Sequence, residues 1–437
     1  MRSLWRSRPT LSTETLALLV SLYFAVVSSR LFWQAALQGQ DLQASSSWKL
    51  GALLLVALVC LHAFMLFVIL TRRPGRPVGA SRDHCAGDAR TAGPRTRIAV
   101  GADAVLGPQW AQRHRPVLLV MVVGETARSA NWGLNGYGRQ TTPALARQGG
   151  LVNFSDVTAC GSDTETSVPC MFAAVGRRQY DEDRIRDSES LLHVLQHAGF
   201  NVLWRDNQSG CKGVCAGLPF EQVDNLHPGT CRQGSCLDEM LLDGLQSFVA
   251  QTPGNKVVVL HQLGNHGPAY HNRYPAEFRR FTPTCDTAEI RQCSVEQIVN
   301  SYDNALLYTD HFLSRTIAFL KEQAADHETA LLYVSDHGES LGERGLFLHG
   351  IPYSIAPDMQ TKVPMVLWLS EGMRTDFGLD DTCISQLKDV PVSHDHLFHT
   401  VLGLLDVETG AHEPGYDLAS RCRIRQTADR NGAGDAH

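Results

Sequence analysis

Acidic and imidazole side chains follow three apolar segments of this sequence, shortly after each segment ends. They are Glu125 after the run 117–123, His266 after the run 256–263, and Asp336 and His337 after the run 329–334. His349 comes shortly after the last pair. These ligand types suit Zn²⁺, and a metal so bound can polarise a phosphoryl or sulfuryl oxygen and acidify a hydroxyl. Any one residue alone could be structural, as Glu125 would be at a helix N-terminus, but together they predict a metal-dependent transfer site.

A second segment supplies candidate nucleophiles. Residues 160–170 read CGSDTETSVPC, a hydroxyl-rich stretch between two cysteines. A disulfide there would fix the loop and preorganise its side chains, whereas the alternative is an ordinary polar turn or helix cap. Spacing alone leaves four candidates open: Ser162, Thr164, Thr166 and Ser167.

Alternating apolar segments and amphipathic segments must position these residues. The predicted strands are 117–123, 201–204, 256–263, 329–334 and 363–369. The predicted helices are 188–199, with Ser188 as N-cap and Gly199 at its end, 237–251, 295–323 and 395–406. Strand–helix alternation predicts an α/β sheet with helices on both faces. In such sheets ligands bind beyond the carboxyl ends of the strands, where the candidate residues lie.

The cysteines suggest a framework of disulfides. Ten of the 12 form close or plausible pairs: Cys160 with Cys170, Cys211 with Cys215, Cys231 with Cys236, Cys285 with Cys293, and Cys383 with Cys422. Short-range pairs scattered through a large domain are typical of oxidising compartments. The alternative is a four-thiolate zinc site built from the second and third pairs.

Composition and hydropathy define the domain organisation. The chain has 437 residues, 43% of them hydrophobic, and a net charge of -6, which excludes a disordered chain and argues against nucleic-acid binding. Two apolar segments predict transmembrane helices at about 15–37, where residues 15–29 carry no charge before Arg30, and at 50–71, which is uncharged throughout. The first could instead be a signal peptide. An Arg/Gly/Pro-rich linker (72–98), a catalytic domain (99–425) and a disordered tail (426–437) follow.

Seven motifs in the domain together resemble one family. They are VVGETAR, NGYGRQTTP, ACGSDTETSVPCMF, DNQSGCKGVC, HQLGNHGPAY, SDHGESLGERGLFLHG and SHDHLFHTVLGLLD. The sequence from about 99 to 422 is similar to the lipid A phosphoethanolamine transferases, which include the mobile colistin-resistance enzymes and belong to the alkaline-phosphatase/sulfatase superfamily. The resemblance implies a sulfatase-like fold, and the first four cysteine pairs fall where this family has disulfides.

The resemblance also implies roles for individual residues. The implied zinc ligands are Glu125, Thr164, Asp336 and His337, with Thr164 also the nucleophile. His266 and His349 match active-site histidines placed to bind substrate phosphate, a second metal or a proton, and Lys212 and Asn207 match positions near the phosphoethanolamine group. Asp163 adds a carboxylate beside a phosphoryl site, where it would repel substrate unless it turned outward.

The implied reaction moves phosphoethanolamine from phosphatidylethanolamine to a phosphate of lipid A, in lipopolysaccharide, through a Thr164 intermediate. Alternatives are another hydrolase or transferase of the superfamily that acts on a different surface glycan, or an inactive, truncated protein that binds lipid headgroups. A sulfatase would need a formylglycine-forming Cys or Ser in a C/S-x-P-x-R context, and none follows a predicted strand. The Cys-rich loops disfavour a phosphoglycerol transferase.

Topology is the point where the sequence departs from this family. The family has five transmembrane helices before a periplasmic domain, and this sequence predicts two. Arginines precede the first span and seven more follow the second, so the positive-inside rule places both chain ends in the cytoplasm. The cysteines and the lipid substrate instead require the periplasmic side of the bacterial inner membrane. Cleavage of the first span, translocation despite the arginines, or an inactive product would each resolve the conflict.

Overall fold

The computed structural model describes residues 97–112, 115–226, 231 and 236–424. The transmembrane helices predicted at 15–37 and 50–71, most of the linker and the tail lie outside these residues. Within the described ranges, no helix has the length and apolar character needed to span a bilayer.

A mixed eight-stranded sheet forms the centre of the domain. The strands of the described residues are, in chain order, β1 (Val105–Leu106), β2 (Val117–Gly124), β3 (Leu151–Thr158), β4 (Asn201–Asp206), β5 (Phe220–Gln222), β6 (Lys256–His261), β7 (Glu328–Ser335), β8 (Ser340–Leu341), β9 (Phe347–Leu348), β10 (Lys362–Leu369), β11 (Val392–Ser393) and β12 (Val407–Glu408). The sheet order is β11-β3-β10-β7-β2-β6-β4-β5, while β1 pairs with β12 and β8 with β9.

Helices cover both faces of this sheet. The α-helices of the described residues are α1 (Thr164–Met171), α2 (Glu182–Asp187), α3 (Leu191–His197), α4 (Val223–Leu226), α5 (Leu245–Gln251), α6 (Val295–Gln323), α7 (Asp358–Thr361), α8 (Glu371–Asp376), α9 (Asp381–Gln386) and α10 (Asp395–Leu404). Alternate residues of β2 divide between two apolar cores, with Leu119 and Met121 in one and Leu118 and Val120 in the other. The first core includes α1, α3 and α10, and the second includes α5 and α6. Helices thus lie on both faces of the sheet, as the sequence predicted.

Several details differ from the sequence prediction. Ser190, rather than Ser188, caps α3, because its side chain accepts the Leu192 N–H. The helix predicted over 237–251 is a 3-10 turn and the short α5, separated by Gly244 at φ 70°. Strand β10 runs antiparallel to both β3 and β7. The sheet is therefore mixed.

The parallel strands β7, β2, β6 and β4 bring the candidate residues to one edge. Gly124 pairs with Ser335, and Val123 pairs with His261. Because these strands run in the same direction, the residues that follow them emerge together at the carboxyl edge. Continuous burial on both faces explains why β2, β6 and β7 read as unbroken apolar runs.

All five predicted cysteine pairs are confirmed as disulfides. The bonds are Cys160–Cys170, Cys211–Cys215, Cys231–Cys236, Cys285–Cys293 and Cys383–Cys422. The alternative of a four-thiolate zinc site is wrong, because Cys211 is bonded to Cys215 and Cys231 to Cys236, so none of these sulfurs is a free thiolate. These two bonds and the one between Cys285 and Cys293 close loops with sequence separations of 4, 5 and 8 residues, so they brace local loops.

Candidate active site

Three buried side chains at the carboxyl edge form a metal-binding geometry. Glu125 follows β2, and Asp336 and His337 follow β7. One possible ligand atom from each of these residues lies within 4.8 Å of those from the other two. Two carboxylates and one imidazole at such separations are ligands that Zn²⁺ accepts.

The hydrogen bonds leave ligand atoms of this cluster free. Asp336 Oδ1 accepts the backbone N–H groups of Thr126 (3.0 Å) and His337 (2.7 Å), but Oδ2 is buried without a hydrogen-bond partner. His337 Nδ1 lies 2.9 Å from the Gly338 carbonyl oxygen. Because a carbonyl only accepts, Nδ1 carries the proton and Nε2 presents its lone pair, as in metal-binding histidines. A metal ion fits both features.

The charges of the cluster also favour a cation. Burial raises the pKa of Asp336 well above its ordinary value, and the charge of Glu125 adds to this effect. Burial raises the pKa of Glu125 too, but the positive charge of His337 and His266 when they are protonated, together with hydrogen bonds from Thr126 and Gln208, outweighs burial and lowers this pKa to about 2. Burial lowers the pKa of His337, which keeps its imidazole neutral. Adjacent buried carboxylates disfavour joint ionisation, and a bound dication would remove that conflict.

Thr164 is the hydroxyl that reaches this cluster. Its Oγ1 lies 3.1 Å from Glu125 Oε2 and 3.3 Å from His337 Nε2. The Ser162 hydroxyl instead donates to the Ile351 carbonyl oxygen, and the Ser167 hydroxyl to the Asp336 carbonyl oxygen. The structure joins Thr166 to Asp163 through its backbone N–H. Among the four hydroxyls that the sequence left open, Thr164 therefore has the contacts expected of a metal-activated nucleophile.

The start of α1 fixes the Thr164 side chain. Thr164 is the first residue of this helix, and Asp163 is its N-cap, with Oδ1 accepting the Thr166 N–H at 2.9 Å. The Cys160–Cys170 disulfide encloses the same segment. The Asp163 carboxylate is thus bound to the helix terminus. The sequence predicted that this carboxylate would repel substrate unless it turned outward.

His394, which the sequence analysis did not select, ties this loop to the sheet. Its Nδ1 accepts the Cys160 N–H at 3.0 Å, and its Nε2 donates to the Ser335 carbonyl oxygen at the same distance. Burial lowers the pKa of His394 to about 3. The ring is therefore neutral at physiological pH, and both of its nitrogens hold the segment that carries Thr164 against the sheet.

Two further histidines that the sequence selected lie beside the cluster. The rings of His337 and His349 are 4.4 Å apart, and those of His266 and His349 are 5.8 Å apart. The Glu339 carboxylate lies 3.2 Å from His349 Nδ1 and was also missed from sequence. Although burial lowers the pKa of His349, Glu339 raises it to about 9. Burial lowers the pKa of His266, so the two histidines differ in charge.

The residues expected near the phosphoethanolamine group differ in their surroundings. Lys212 Nζ donates to Glu165 Oε1 at 2.5 Å, next to Thr164 in sequence. The Asn207 amide donates to the Cys236 carbonyl oxygen and to Asp238. Gln208, which was not selected from sequence, donates to Glu125 Oε2 at 2.8 Å.

Comparisons with known proteins identify the family of this chain. Residues 118–407 match the sulfatase family, so the chain belongs to that family. The phosphoethanolamine transferase EptA of Escherichia coli (strain K12) is 46% identical over 328 residues, which are 75% of this chain and 60% of that protein. The phosphatidylethanolamine transferase Mcr-1 of Escherichia coli is 41% identical over 326 residues, 73% of this chain and 59% of that protein.

A solved structure shows the same relationship. The soluble domain of lipooligosaccharide phosphoethanolamine transferase A from Neisseria meningitidis is 44% identical, with a TM-score of 0.72 over 75% of this chain and 99% of that domain. The resemblance predicted from the motifs is thereby confirmed. The chain spans about 60% of the length of the curated relatives it matches.

Proposed function

We propose that this chain is a zinc-dependent phosphoethanolamine transferase of the bacterial inner membrane, with its catalytic domain in the periplasm. It would move phosphoethanolamine from phosphatidylethanolamine to a phosphate of lipid A. The observation that carries the proposal is the Thr164 hydroxyl, held between Glu125 and His337 in a buried metal-binding geometry. The similarity to EptA and Mcr-1 supports the same reaction.

Glu125, Asp336, His337 and the Thr164 oxygen would hold the zinc ion. When bound there, zinc supplies Lewis acidity, which favours ionisation of the threonine hydroxyl and neutralises charge on the phosphoryl oxygens. The unpartnered Asp336 Oδ2 and the lone pair on His337 Nε2 support this ligand set.

In the first displacement, the Thr164 oxygen attacks the phosphorus of phosphatidylethanolamine and the bond from phosphorus to the diacylglycerol oxygen breaks. Threonine loses its hydroxyl proton to solvent, and the departing diacylglycerol oxygen gains one. His349 would supply that proton, because Glu339 contacts its Nδ1 and raises its pKa to about 9. Positioning and neutralisation of charge carry most of such phosphoryl transfers.

In the second displacement, a phosphate oxygen of lipid A attacks the phosphorus of the phosphothreonine-type intermediate, and the Thr164 oxygen leaves and regains its proton. His266 can accept a proton from the incoming phosphate, because burial lowers its pKa and keeps the ring neutral. Lys212 would contribute positive charge near the first turn of α1. Gln208 would orient Glu125, while Asn207 would hold the loop beside it.

A different acceptor is the second candidate, because the phosphoryl site does not by itself specify a sugar. Another relative, Kdo(2)-lipid A phosphoethanolamine 7''-transferase of Escherichia coli (strain K12), is 32% identical over 298 residues. Its name describes transfer to a different position, so a surface glycan other than the lipid A phosphates is a specific alternative.

Mass spectrometry of lipid A and core glycan from Gram-negative cells that express the full chain tests both candidates. One added phosphoethanolamine on lipid A, absent with Thr164→Ala, is the expected result. Addition to the core glycan instead would favour the second candidate. Absence of any modification, with the protein folded and in the membrane fraction, would contradict the proposed function.

A further inference from the structure

The Arg177 guanidinium contacts two tyrosine rings. Its central carbon is 3.8 Å from the centroid of the Tyr353 ring and 4.8 Å from that of Tyr180. Cation–π attraction stabilises this arrangement. The two rings also restrict a side chain that otherwise has many rotamers, so less entropy is lost when its N–H groups bind a ligand.

The N–H groups of this guanidinium remain available. Within the part of the chain that the structure describes, the hydrogen bond from Arg177 runs from its backbone N–H to Asp395 Oδ1 at 2.5 Å, and no ion pair engages its side chain. The neighbouring Arg178 differs, because both of its terminal nitrogens bind Glu413 at 2.6 Å. Arg177 is thus a restrained, partly exposed cation that presents planar donors to solvent.

Both tyrosines connect Arg177 to the segment that carries Thr164. The Tyr353 hydroxyl donates to the Ala159 carbonyl oxygen at 3.0 Å, beside Cys160. Tyr180 packs against the apolar cluster that contains the Cys160–Cys170 disulfide. On the other side, Gly176 at φ 56° lies so close to Asp395 that a Cβ there would meet its carboxylate. The cation is therefore fixed beside the nucleophile loop.

We propose that Arg177 binds an anionic group of the acceptor, a phosphate on the glycolipid. This inference rests on the proposed function. Phosphatidylethanolamine carries one phosphate, which must lie at Thr164, and its remaining headgroup charge is a cation that arginine would repel. Lipid A carries two phosphates, so an acceptor whose one phosphate reacts still has a second phosphate for a cation to bind. Arginine matches phosphate with two parallel N–H donors, and Ile355, which is 73% exposed near Tyr353, offers an apolar surface to a lipid.

The test separates the two half-reactions of the purified full chain. Diacylglycerol release from phosphatidylethanolamine without acceptor reports the donor step, and transfer to diphosphoryl lipid A reports the whole reaction. We expect Arg177→Gln to leave diacylglycerol release within about twofold of wild type and to raise the KM for lipid A about tenfold, as for loss of a charge-assisted hydrogen bond. Arg177→Lys should be intermediate, because it keeps the charge but loses the planar donors.

Arg184→Gln is the matched control, because it removes one positive charge from the exposed surface of the nearby α2. It should leave both readouts unchanged. Monophosphoryl lipid A adds a second comparison. If Arg177→Gln raises the KM for diphosphoryl lipid A more than the KM for monophosphoryl lipid A, the group that Arg177 binds is the non-reacting phosphate. An unchanged KM for lipid A in Arg177→Gln, or an equal loss of diacylglycerol release, would overturn the inference. Inactivity of wild type in both assays would instead contradict the proposed function.

Discussion

Asp163 offers a test that separates the effect of a charge from that of a helix cap. Asp163 precedes the proposed nucleophile, Thr164, in sequence, yet its Oδ1 accepts the Thr166 N–H and caps α1. Asn caps helices as well as Asp does, whereas Ala does not. We therefore expect Asp163→Asn to behave as wild type and Asp163→Ala to lose both stability and activity.

The size of the loss follows from the cap. Replacing an N-cap Asp by Ala costs about 1 kcal/mol of stability, which lowers the Tm of a domain of this size by roughly 2 °C. The effect on catalysis is larger, because Thr164 is the first residue of α1 and a shift of its hydroxyl relative to Glu125 disrupts the attack geometry. A displacement approaching 1 Å lowers the rate by up to about 100-fold. Because the Cys160–Cys170 disulfide limits the movement, we expect Asp163→Ala to lower kcat by about tenfold.

The measurements are the Tm and diacylglycerol release from phosphatidylethanolamine, for wild type and both variants. If the Asp163 carboxylate instead faced the substrate, Asp163→Asn would lower the KM for phosphatidylethanolamine. That result, or full activity of Asp163→Ala, would refute the argument that Asp163 acts as a cap.

Three further predictions concern the metal site, its support and the pH dependence of stability. Thr164→Ala should retain most zinc affinity and lose all transfer. Asp336→Asn should lower the zinc affinity by at least about tenfold. Metal content after competition with a chelator measures the affinity of both variants. Gln208→Leu should reduce zinc affinity less than Asp336→Asn, because it removes one hydrogen bond to Glu125. Burial lowers the pKa of His399 from 6.5 to about 4. Between these pH values the unfolded state therefore binds more protons than the folded state, so the free energy of unfolding decreases as the pH falls. His399→Asn should therefore show a shallower fall in Tm between those pH values, and an unchanged slope would contradict this assignment.

The long elements were predictable because their patterns are strong. Helix α6 occupies the predicted range 295–323, in agreement with its apolar period and its Ser294–Gln297 capping box. Strand β3 was missed because exposed and buried residues alternate irregularly along it, including the exposed pair Ser155 and Asp156. The direction of β10 was not predictable, since an apolar run buried on both faces reads the same in either direction.

Some residues of the site could also be predicted from the sequence, and others could not. Residues directly after strands, such as Glu125 and Asp336, could be located by the strand-end rule alone. His394 could not, because it acts from the start of α10 through backbone contacts with Cys160 and Ser335. Glu339 offered a signal, since it lies two residues after His337, but only the structure shows that it faces His349.

The disulfides bear on the side of the membrane where the catalytic domain would work. The arginines that flank the predicted spans favour a cytoplasmic domain, but this rule counts short loops near the spans, and long domains translocate largely regardless of charge. Each of the five disulfides requires an oxidising compartment. One of them, Cys160–Cys170, encloses Thr164, so a reducing compartment would release the segment that holds the proposed nucleophile. The disulfides therefore outweigh the charge pattern, and they support the periplasmic side that the proposed function requires.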